Sequence, residues 1–216
     1  MTESGRGLFI NFEGMDGCGK TTQMKRLAAR LRESGREVVE TVEPGGTRIG
    51  NQIRAILLDP GNQEMFPTAE MLLYFAARAQ NVDEIIQPAL KQGKIVLSDR
   101  FTDSTMAYQG LGRGLGEDVV NSLDAVACRG LKPDLTILVD IDLETSLDRA
   151  RARNREKSNA DRMDEQSAEF HDRVRAGYLK MAAREPRRFR VIDGRADVDT
   201  VAEAVWSQLC DLHFVT

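Results

Sequence analysis

The chain has 216 residues, 41% of them apolar and 30% charged, so it can bury one core of ordinary size, and we expect a single domain over residues 1–216. Its 30 Lys and Arg residues face 34 Asp and Glu residues, and the net charge of -4 gives no reason to expect a nucleic acid or a membrane surface as partner. The first apolar run, residues 8–12, is too short for a signal-peptide core or a membrane span, and we expect a cytoplasmic protein.

Short β-branched runs alternate with longer segments of 3.6-residue period along the chain. This alternation is typical of an α/β protein in which helices cover both faces of a parallel sheet. The first helix is predicted over residues 20–34, because Gly35 readily takes the left-handed conformation found just past a helix end. The predicted strands are residues 8–13, 37–42, 94–99, 135–141 and 189–193.

The string GMDGCGKT at residues 14–21 follows the first predicted strand and opens the first predicted helix. It fits the pattern G-x-x-x-x-G-K-[ST], whose glycines let successive backbone N–H groups point at a phosphate, next to the positive end of a helix. Lys20 is expected to reach the β- and γ-phosphates of a nucleoside triphosphate, and Thr21 is expected to ligate Mg²⁺. The predicted nucleotide-binding residues are Gly14, Met15, Asp16, Gly17, Cys18, Gly19, Lys20, Thr21 and Thr22.

An acidic residue, Asp16, lies inside this phosphate loop. Its carboxylate is repelled by phosphate oxygens, while the positive potential of the loop keeps it ionised. A carboxylate accepts hydrogen bonds well from a neutral hydroxyl. We therefore expect Asp16 to face a sugar hydroxyl of a second substrate.

A long helix is predicted over residues 68–92, with Thr68 as its N-cap and Glu70 in its first turn. Its apolar stripe is typical of a core or a subunit interface rather than of a ligand-binding surface. The stripe contains Met71, Leu72, Phe75, Ala79, Val82 and Ile86.

Two further loops follow predicted strand ends: EPGGT at residues 43–47 and SDRFTDSTMAYQG at residues 98–110. The carboxyl ends of parallel strands meet at one edge of a sheet, so both loops should share a cleft with the phosphate loop. Such a cleft suits two substrates. Further along, DRARARNREKSNADR at residues 148–162 is mostly charged and is predicted to be a mobile segment, or else a solvated helix end.

These segments resemble the bacterial thymidylate kinases. FEGMDGCGKTTQ, EPGGT, LLYFAARAQ, SDRFTDSTMAYQG and DRMDEQSAEFHDRVRAGYL occur in the order and spacing of that family, and the resemblance covers nearly the whole chain. It implies a three-layer nucleoside monophosphate kinase fold with a phosphate loop and a five-stranded parallel sheet. It also implies transfer of the γ-phosphoryl group of ATP to dTMP, with Mg²⁺ as cofactor, by a homodimer formed through helix packing.

The acceptor phosphate of dTMP has a second pKa of about 6, so it is a dianion at neutral pH and needs no strong general base. The site must instead neutralise two anions that meet in line, a task suited to arginine. The resemblance implies that Arg100 holds the acceptor phosphate. It makes Arg54 and Arg78 the other acceptor-side arginines, with Arg78 also near the base, although a surface role stays open for Arg54.

The resemblance also implies residues for the metal and the sugar. Asp99 ends the third predicted strand, a placement typical of an acid that holds Mg²⁺ together with Thr21, but it could instead only orient Arg100. Asp16 matches the acid near the sugar 3′-hydroxyl. Tyr108 matches the ring that crowds the 2′ position and so favours deoxyribose.

For the base, Tyr74 occupies the position of the ring that stacks on thymine, where many relatives have Phe, and Phe75 is the competing residue. Thr105 and Gln109 match family positions around the base. Glu43, in the EPGGT loop, is assigned to the same acceptor side.

The family divides by the position of its catalytic arginine, which lies either in the phosphate loop or in a lid. Gly17 occupies the loop position here, so the arginine is expected in a mobile lid at about 148–163. If this segment is helical, Arg149 and Arg153 lie on one face, and a second pair of arginines lies on another. The predicted pair is Arg149 and Arg153, with Arg153 nearest the transferred phosphoryl group.

The resemblance concerns three further residues near the two substrates. Arg162 is a candidate for closing the lid. Arg195 follows VIDG at residues 191–194, where the adenine loop of the family lies, and is predicted near the adenine. Val42 stands where many relatives have arginine, so one acceptor-side charge is either missing or supplied elsewhere.

Two other functions fit parts of the sequence. A deoxynucleoside kinase also has a phosphate loop and an Asp-Arg pair, but it must activate a neutral 5′-hydroxyl, and its loops differ from EPGGT and AYQG. A nucleotide-driven switch or partitioning protein is the alternative from another class. The sequence has no N-K-x-D string, paired-lysine loop or L-S-G-G-Q signature to support it.

Overall fold

The computed structural model describes residues 6–157, 162–163 and 166–211, and for residues 153–157 it describes the backbone alone. Five strands form one parallel sheet in the order β2-β3-β1-β4-β5, which confirms the predicted α/β fold with its five-stranded parallel sheet. The strands are β1 Phe9–Glu13, β2 Val38–Val42, β3 Ile95–Asp99, β4 Leu135–Asp140 and β5 Phe189–Asp193.

Helices lie on both faces of this sheet. Two π-helical segments, Val82–Ile86 and Met106–Gly112, follow α3 and α5 without a break in the chain's helical path. The α-helices of the described residues are α1 Lys20–Glu33, α2 Arg48–Leu58, α3 Pro67–Asn81, α4 Gln87–Lys91, α5 Thr102–Thr105, α6 Glu117–Cys128, α7 Leu143–Lys157, α8 Ala168–Arg184 and α9 Val198–Asp211.

The three central strands β1, β3 and β4 are buried along almost their whole length. They are nearly continuous apolar runs because helices cover both of their faces. Successive residues point to opposite faces, so Phe9 and Val96 join one core with the α3 side, while Ile10 and Leu97 join the other with α1 and α9. The sheet is therefore the middle of three layers.

The long helix differs from its prediction at the start. Pro67 is its first residue and Phe66 its N-cap, so Thr68 is not the cap. Proline suits this position because its missing N–H is one that a first turn leaves unbonded anyway. Within the predicted stripe, Met71 and Phe75 are buried, whereas Leu72 is 49% exposed.

The same helix is also less regular than predicted, because a π-helical turn over Val82–Ile86 separates α3 from α4. Pro88 lies in the first turn of α4. Its ring removes one backbone donor and crowds the carbonyl four residues earlier, and a wider turn relieves this conflict. The first helix, by contrast, ends as predicted, with Ser34 as C-cap and Gly35 at a φ of 80°.

Four strands end in a carboxylate at one edge of the sheet: β1 at Glu13, β3 at Asp99, β4 at Asp140 and β5 at Asp193. This edge carries the loops predicted to form the cleft. Among the described residues, no helix is long and apolar enough to cross a membrane.

We expect Leu97→Ala to lower the free energy of unfolding by about 2–5 kcal/mol, because Leu97 is 0% exposed in the middle of β3 and its loss leaves a cavity. Leu179→Ala is the matched control, since Leu179 on α8 is 37% exposed and its loss should cost no more than about 1 kcal/mol. Urea unfolding of both variants measures the difference. Equal losses would contradict the position of this core.

Candidate active site

The phosphate loop joins the end of β1 to the start of α1. Gly14, Gly17 and Gly19 have φ angles of 136°, 84° and 94°, a region that glycine enters without strain. Among the described residues, no side chain caps α1. The backbone N–H groups of its first turn are therefore not bonded to a capping side chain. This arrangement is an anion site made from main-chain donors and a helix N-terminus.

Lys20 lies under the loop and is buried, with its Nζ 3.5 Å from the carbonyl oxygen of Met15 and 3.7 Å from the Asp16 carboxylate. Cys18 packs among apolar side chains of the core, and burial raises the pKa of its thiol. The Cys18 side chain therefore supports the loop from inside. The positive charge near the loop comes from Lys20 and the backbone.

Helix α7 packs directly against this loop at Gly17. A Cβ atom on Gly17 would lie 2.4 Å from the carbonyl oxygen of Ser146 and 3.2 Å from the Cβ atom of Arg149. The Ser146 hydroxyl donates a hydrogen bond of 2.6 Å to the Asp16 carbonyl oxygen. A side chain at position 17, arginine included, has no room in this arrangement.

The hydroxyl of Thr21 donates a hydrogen bond to the Asp99 carboxylate, so the predicted metal ligands lie together beside the loop. Asp99 therefore faces Thr21 at the start of α1. Within the described ranges, no cluster of three or more His, Cys, Asp or Glu residues could hold a metal ion. A hydroxyl and one carboxylate nevertheless suit Mg²⁺, which usually keeps waters and binds substrate phosphates as its other ligands.

A cavity opens next to the phosphate loop, between the ends of β1 and β3 and helices α2 and α3. The structure brings most of the predicted acceptor-side residues to its wall: Asp16, Glu43, Arg54, Tyr74, Arg78, Arg100, Thr105, Tyr108 and Gln109. Pro44, Leu58, Ser104 and Met163 complete the wall. Phe75 is absent from it, because its ring is buried in the core beneath Arg78.

Arg100 forms the boundary between the loop and the cavity. Its Nη2 donates to Asp16 at 3.0 Å and to the Tyr108 hydroxyl at 3.3 Å, while Nη1 donates to Ser104 and to Tyr178. Its φ of 74° is a left-handed conformation that non-glycine residues rarely adopt. The side chain is therefore held by several partners at one location.

The Asp16 carboxylate lies at this boundary, 3.7 Å from Lys20 Nζ, and accepts hydrogen bonds from Arg100 at 3.0 Å and from the Tyr108 hydroxyl at 3.3 Å. The acid in the loop thus contacts two residues of the cavity wall. Tyr108 also stacks its ring 5.0 Å from the Arg100 guanidinium.

Arg78 is 1% exposed and pairs with Glu43, which accepts from its Nε at 2.6 Å. Burial raises the pKa of the Glu43 carboxyl, and the guanidinium of Arg78 opposes this shift. Arg78 Nη2 donates to the Phe101 carbonyl at 3.1 Å and to the Thr105 hydroxyl at 3.0 Å. Its Nη1 has no hydrogen-bond partner among the described residues, so a buried NH₂ group of this cavity-lining residue is left without a protein acceptor.

Arg54 reaches the cavity from α2, and its Nη1 donates to the Pro44 carbonyl oxygen at 2.7 Å. It therefore lies at the EPGGT loop and is not a free surface arginine. The Glu43 to Pro44 peptide bond of this loop is cis.

The predicted lid begins on α7. Arg149 donates to the Gly194 carbonyl at 3.2 Å, so its guanidinium lies at the loop after β5, while its Cβ atom lies beside Gly17 of the phosphate loop. The Arg153 side chain and residues 158–161 lie outside the described residues. Arg195 is exposed and pairs with Asp193, and the hydrogen bonds from Arg195 lower the pKa of that carboxyl to about 2.

The sequence reasoning missed Glu13, the residue at the end of β1. Its buried carboxylate accepts hydrogen bonds from the backbone N–H groups of Phe101 and Ser104, and from the hydroxyls of Ser104 and Tyr178. Burial raises the pKa of Glu13. The pattern that indicates Asp99, an acid at the end of an apolar strand, also points to Glu13.

The parallel sheet, the loop opening α1 and an arginine-lined cavity beside it define a nucleoside monophosphate kinase with a phosphate loop. The family model for thymidylate kinase matches residues 12–205. The thymidylate kinase of Geobacter sulfurreducens is 54% identical over 201 residues, covering 92% of this chain and 94% of the relative, and that of Pelobacter propionicus is 49% identical over 205 residues, covering 94% of each.

A solved structure supports the same family. The crystal structure of thymidylate kinase from Ehrlichia chaffeensis superposes with a TM-score of 0.76 at 35% identity, covering 94% of this chain and 98% of that one. The chain belongs to the thymidylate kinase family.

Gly17→Ala should weaken both stability and ATP binding, because the new Cβ atom meets the Ser146 carbonyl and the φ of 84° is strained for alanine. We expect a loss of about 2 kcal/mol or more in unfolding free energy. Gly35→Ala is the control: its φ is 80°, but nothing lies within 4 Å of the added atom. Thermal unfolding and the KM for ATP test the pair, and equal effects would contradict the contact with α7.

Proposed function

We propose that this chain transfers the γ-phosphoryl group of ATP to dTMP, giving dTDP and ADP. The observation that carries the proposal is the 3.0 Å contact between Asp16 of the phosphate loop and Arg100 of the cavity, which makes the two binding sites neighbours. Two phosphates bound on either side of this contact meet end to end. Membership of the thymidylate kinase family supports the same reaction.

On the donor side, the loop N–H groups, the N-terminus of α1 and Lys20 bind the β- and γ-phosphates of ATP. Thr21 and Asp99 would hold Mg²⁺, which would supply positive charge beside the phosphate oxygens. Arg195 and the backbone after β5 lie on the side proposed for adenine.

On the acceptor side, Arg100 binds the phosphate of dTMP, and Arg54 adds a second positive charge from α2. The acceptor oxygen is already ionised at neutral pH, because the second pKa of the phosphate is about 6. Catalysis then consists of positioning and charge neutralisation rather than proton abstraction. This account agrees with a cavity wall that contains arginines but no histidine among the described residues.

The base and sugar occupy the rest of the cavity. Tyr74 stacks on thymine, and the unpartnered Nη1 of Arg78 donates to a base carbonyl oxygen. Asp16 accepts from the 3′-hydroxyl, while the Tyr108 ring fills the space that a 2′-hydroxyl would need. Thr105 and Gln109 line the base end.

We further infer a cytoplasmic homodimer. Exposed apolar side chains on two neighbouring helices support an interface, since Phe66 before α3 is 79% exposed and Val126 on α6 is 74% exposed. Light scattering that gives the mass of a monomer would contradict the dimer.

An assay of ADP release over a panel of acceptors tests the proposed reaction. With Mg²⁺ and ATP present, dTMP should give the highest kcat/KM, and thymidine should give no turnover, because the site neutralises a phosphate and offers no base for a hydroxyl. Turnover with thymidine but not dTMP would indicate a deoxynucleoside kinase. Strong ATP hydrolysis with no acceptor dependence would indicate a nucleotide-driven switch.

Arg153→Ala should lower kcat by about 10³-fold or more while changing the KM for dTMP little, because an arginine at the transferred phosphoryl group acts mainly in the transition state. Arg151→Ala is the control from the same helix, since that side chain is exposed and close to Asp148. Steady-state kinetics with dTMP separates the two. An unchanged kcat for Arg153→Ala moves the role to another lid arginine.

A further inference from the structure

Glu70 is a carboxylate with no contact to solvent, in the first turn of α3. It does not line the acceptor cavity. Four N–H groups from three side chains nevertheless converge on it: one from Gln109, two from Arg113 and one from Arg162. These donors come from two separate segments of the chain, since Gln109 and Arg113 belong to one continuous stretch and Arg162 lies apart from it. Both segments border the cavity, through Gln109 and Met163.

The first of these donors is the amide of Gln109, whose Nε2 lies 2.8 Å from Glu70 Oε1. Gln109 is 1% exposed and lines the cavity at the base end. An ionised carboxylate only accepts hydrogen bonds, so it fixes the NH₂ group of the amide toward Glu70. The amide oxygen is then the atom that Gln109 offers to a bound base.

The second donor is Arg162, whose Nη2 also donates to the Glu70 carboxylate. Arg162 is further tied to the end of α2, through Nε to the Leu57 carbonyl and through its backbone N–H to the Leu58 carbonyl, both at 3.2 Å. The next residue, Met163, lines the acceptor cavity. Glu70 therefore also holds one wall of the cavity in place.

Arg113 completes the cluster. Its Nε and Nη2 lie 3.3 and 3.1 Å from the two Glu70 oxygens, and its Nη1 donates to Gln166 at 2.6 Å. Two guanidinium groups around one carboxylate keep Glu70 ionised: burial raises its pKa, but the hydrogen bonds from Arg113 and Gln109 lower it below the ordinary value. The carboxylate thus remains a pure acceptor at neutral pH.

We propose that Glu70 is a positioning residue for base selection, which holds the Gln109 amide oxygen and Met163 against the base. This inference rests on the proposal that the cavity binds dTMP. The Gln109 oxygen accepts from the ring N–H of thymine, and Arg78 Nη1 donates to an adjacent carbonyl oxygen. Cytosine carries an unprotonated ring nitrogen and an amino group at those positions. It would therefore place an acceptor against the Gln109 oxygen and a donor against Arg78 Nη1.

The test is Glu70→Gln, because a glutamine can either donate or accept and no longer fixes the Gln109 amide. We expect the KM for dTMP to rise about tenfold and the ratio of kcat/KM for dTMP over dCMP to fall about tenfold, in line with one lost oriented hydrogen bond. The KM for ATP should stay within about twofold, because ATP binds elsewhere. A variant that is less stable but keeps both the KM for dTMP and the ratio of kcat/KM for dTMP over dCMP overturns the proposal.

Glu84→Gln is the matched control. Glu84 also accepts from a glutamine, with Gln80 Nε2 at 2.7 Å, but that pair is exposed and far along the same helical path. All kinetic parameters should remain unchanged. Combining Glu70→Gln with Gln109→Leu adds a second criterion: the double variant should discriminate no worse than Gln109→Leu alone, and additive losses would overturn the coupling.

If Glu70→Gln does not fold, Arg162→Gln tests the other side of the cluster. The KM for dTMP should rise, because Met163 is no longer held against the cavity. The ratio of kcat/KM for dTMP over dCMP should stay the same, because Glu70 still holds Gln109. An unchanged KM overturns the proposal. Tyr74→Ala tests the proposed dTMP site independently of Glu70. An unchanged KM for dTMP in that variant would contradict dTMP binding in this cavity, whereas a raised KM leaves only the role of Glu70 in question.

Discussion

The contact between Asp16 and Arg100 is the interaction on which the site depends. Two polyanions repel each other strongly at bonding distance, and a protein can bring them together only with positive groups placed before they arrive. Here the backbone N–H groups and Lys20 lie on one side, and Arg100 lies on the other. Asp16 contacts both sides, since its carboxylate lies 3.7 Å from Lys20 Nζ and accepts a hydrogen bond from Arg100.

Buried carboxylates hold the acceptor cavity in shape. Glu13, Glu43 and Glu70 are each almost fully buried, and each accepts hydrogen bonds from at least two side chains. A buried charge is tolerated only when it is paired and hydrogen-bonded, so these groups favour one arrangement of their neighbours over others. The shape of the cavity therefore depends on buried ionic contacts in its wall and behind it.

The sequence was sufficient for the sheet, the phosphate loop and the arrangement of loops at one sheet edge, because each depends on local patterns. The predicted roles of Arg100, Arg78 and Tyr74 came from the resemblance to the family. Glu70 was visible only as a first-turn acid, since its partners lie about 40 and 90 residues away and no local rule pairs them. The π-helical turn before α4 could not be predicted, because helical periodicity continues through residues 68–92 and does not distinguish a π turn from a regular one.

The contact of α7 with the phosphate loop limits where that helix can move. Ser146 is bonded to the Asp16 carbonyl oxygen, and the backbone of the helix touches Gly17, so its first two turns are anchored to the floor of the donor site. The first turns of α7 and the phosphate loop therefore form one packed unit, so a substitution that displaces this part of the helix also displaces the loop.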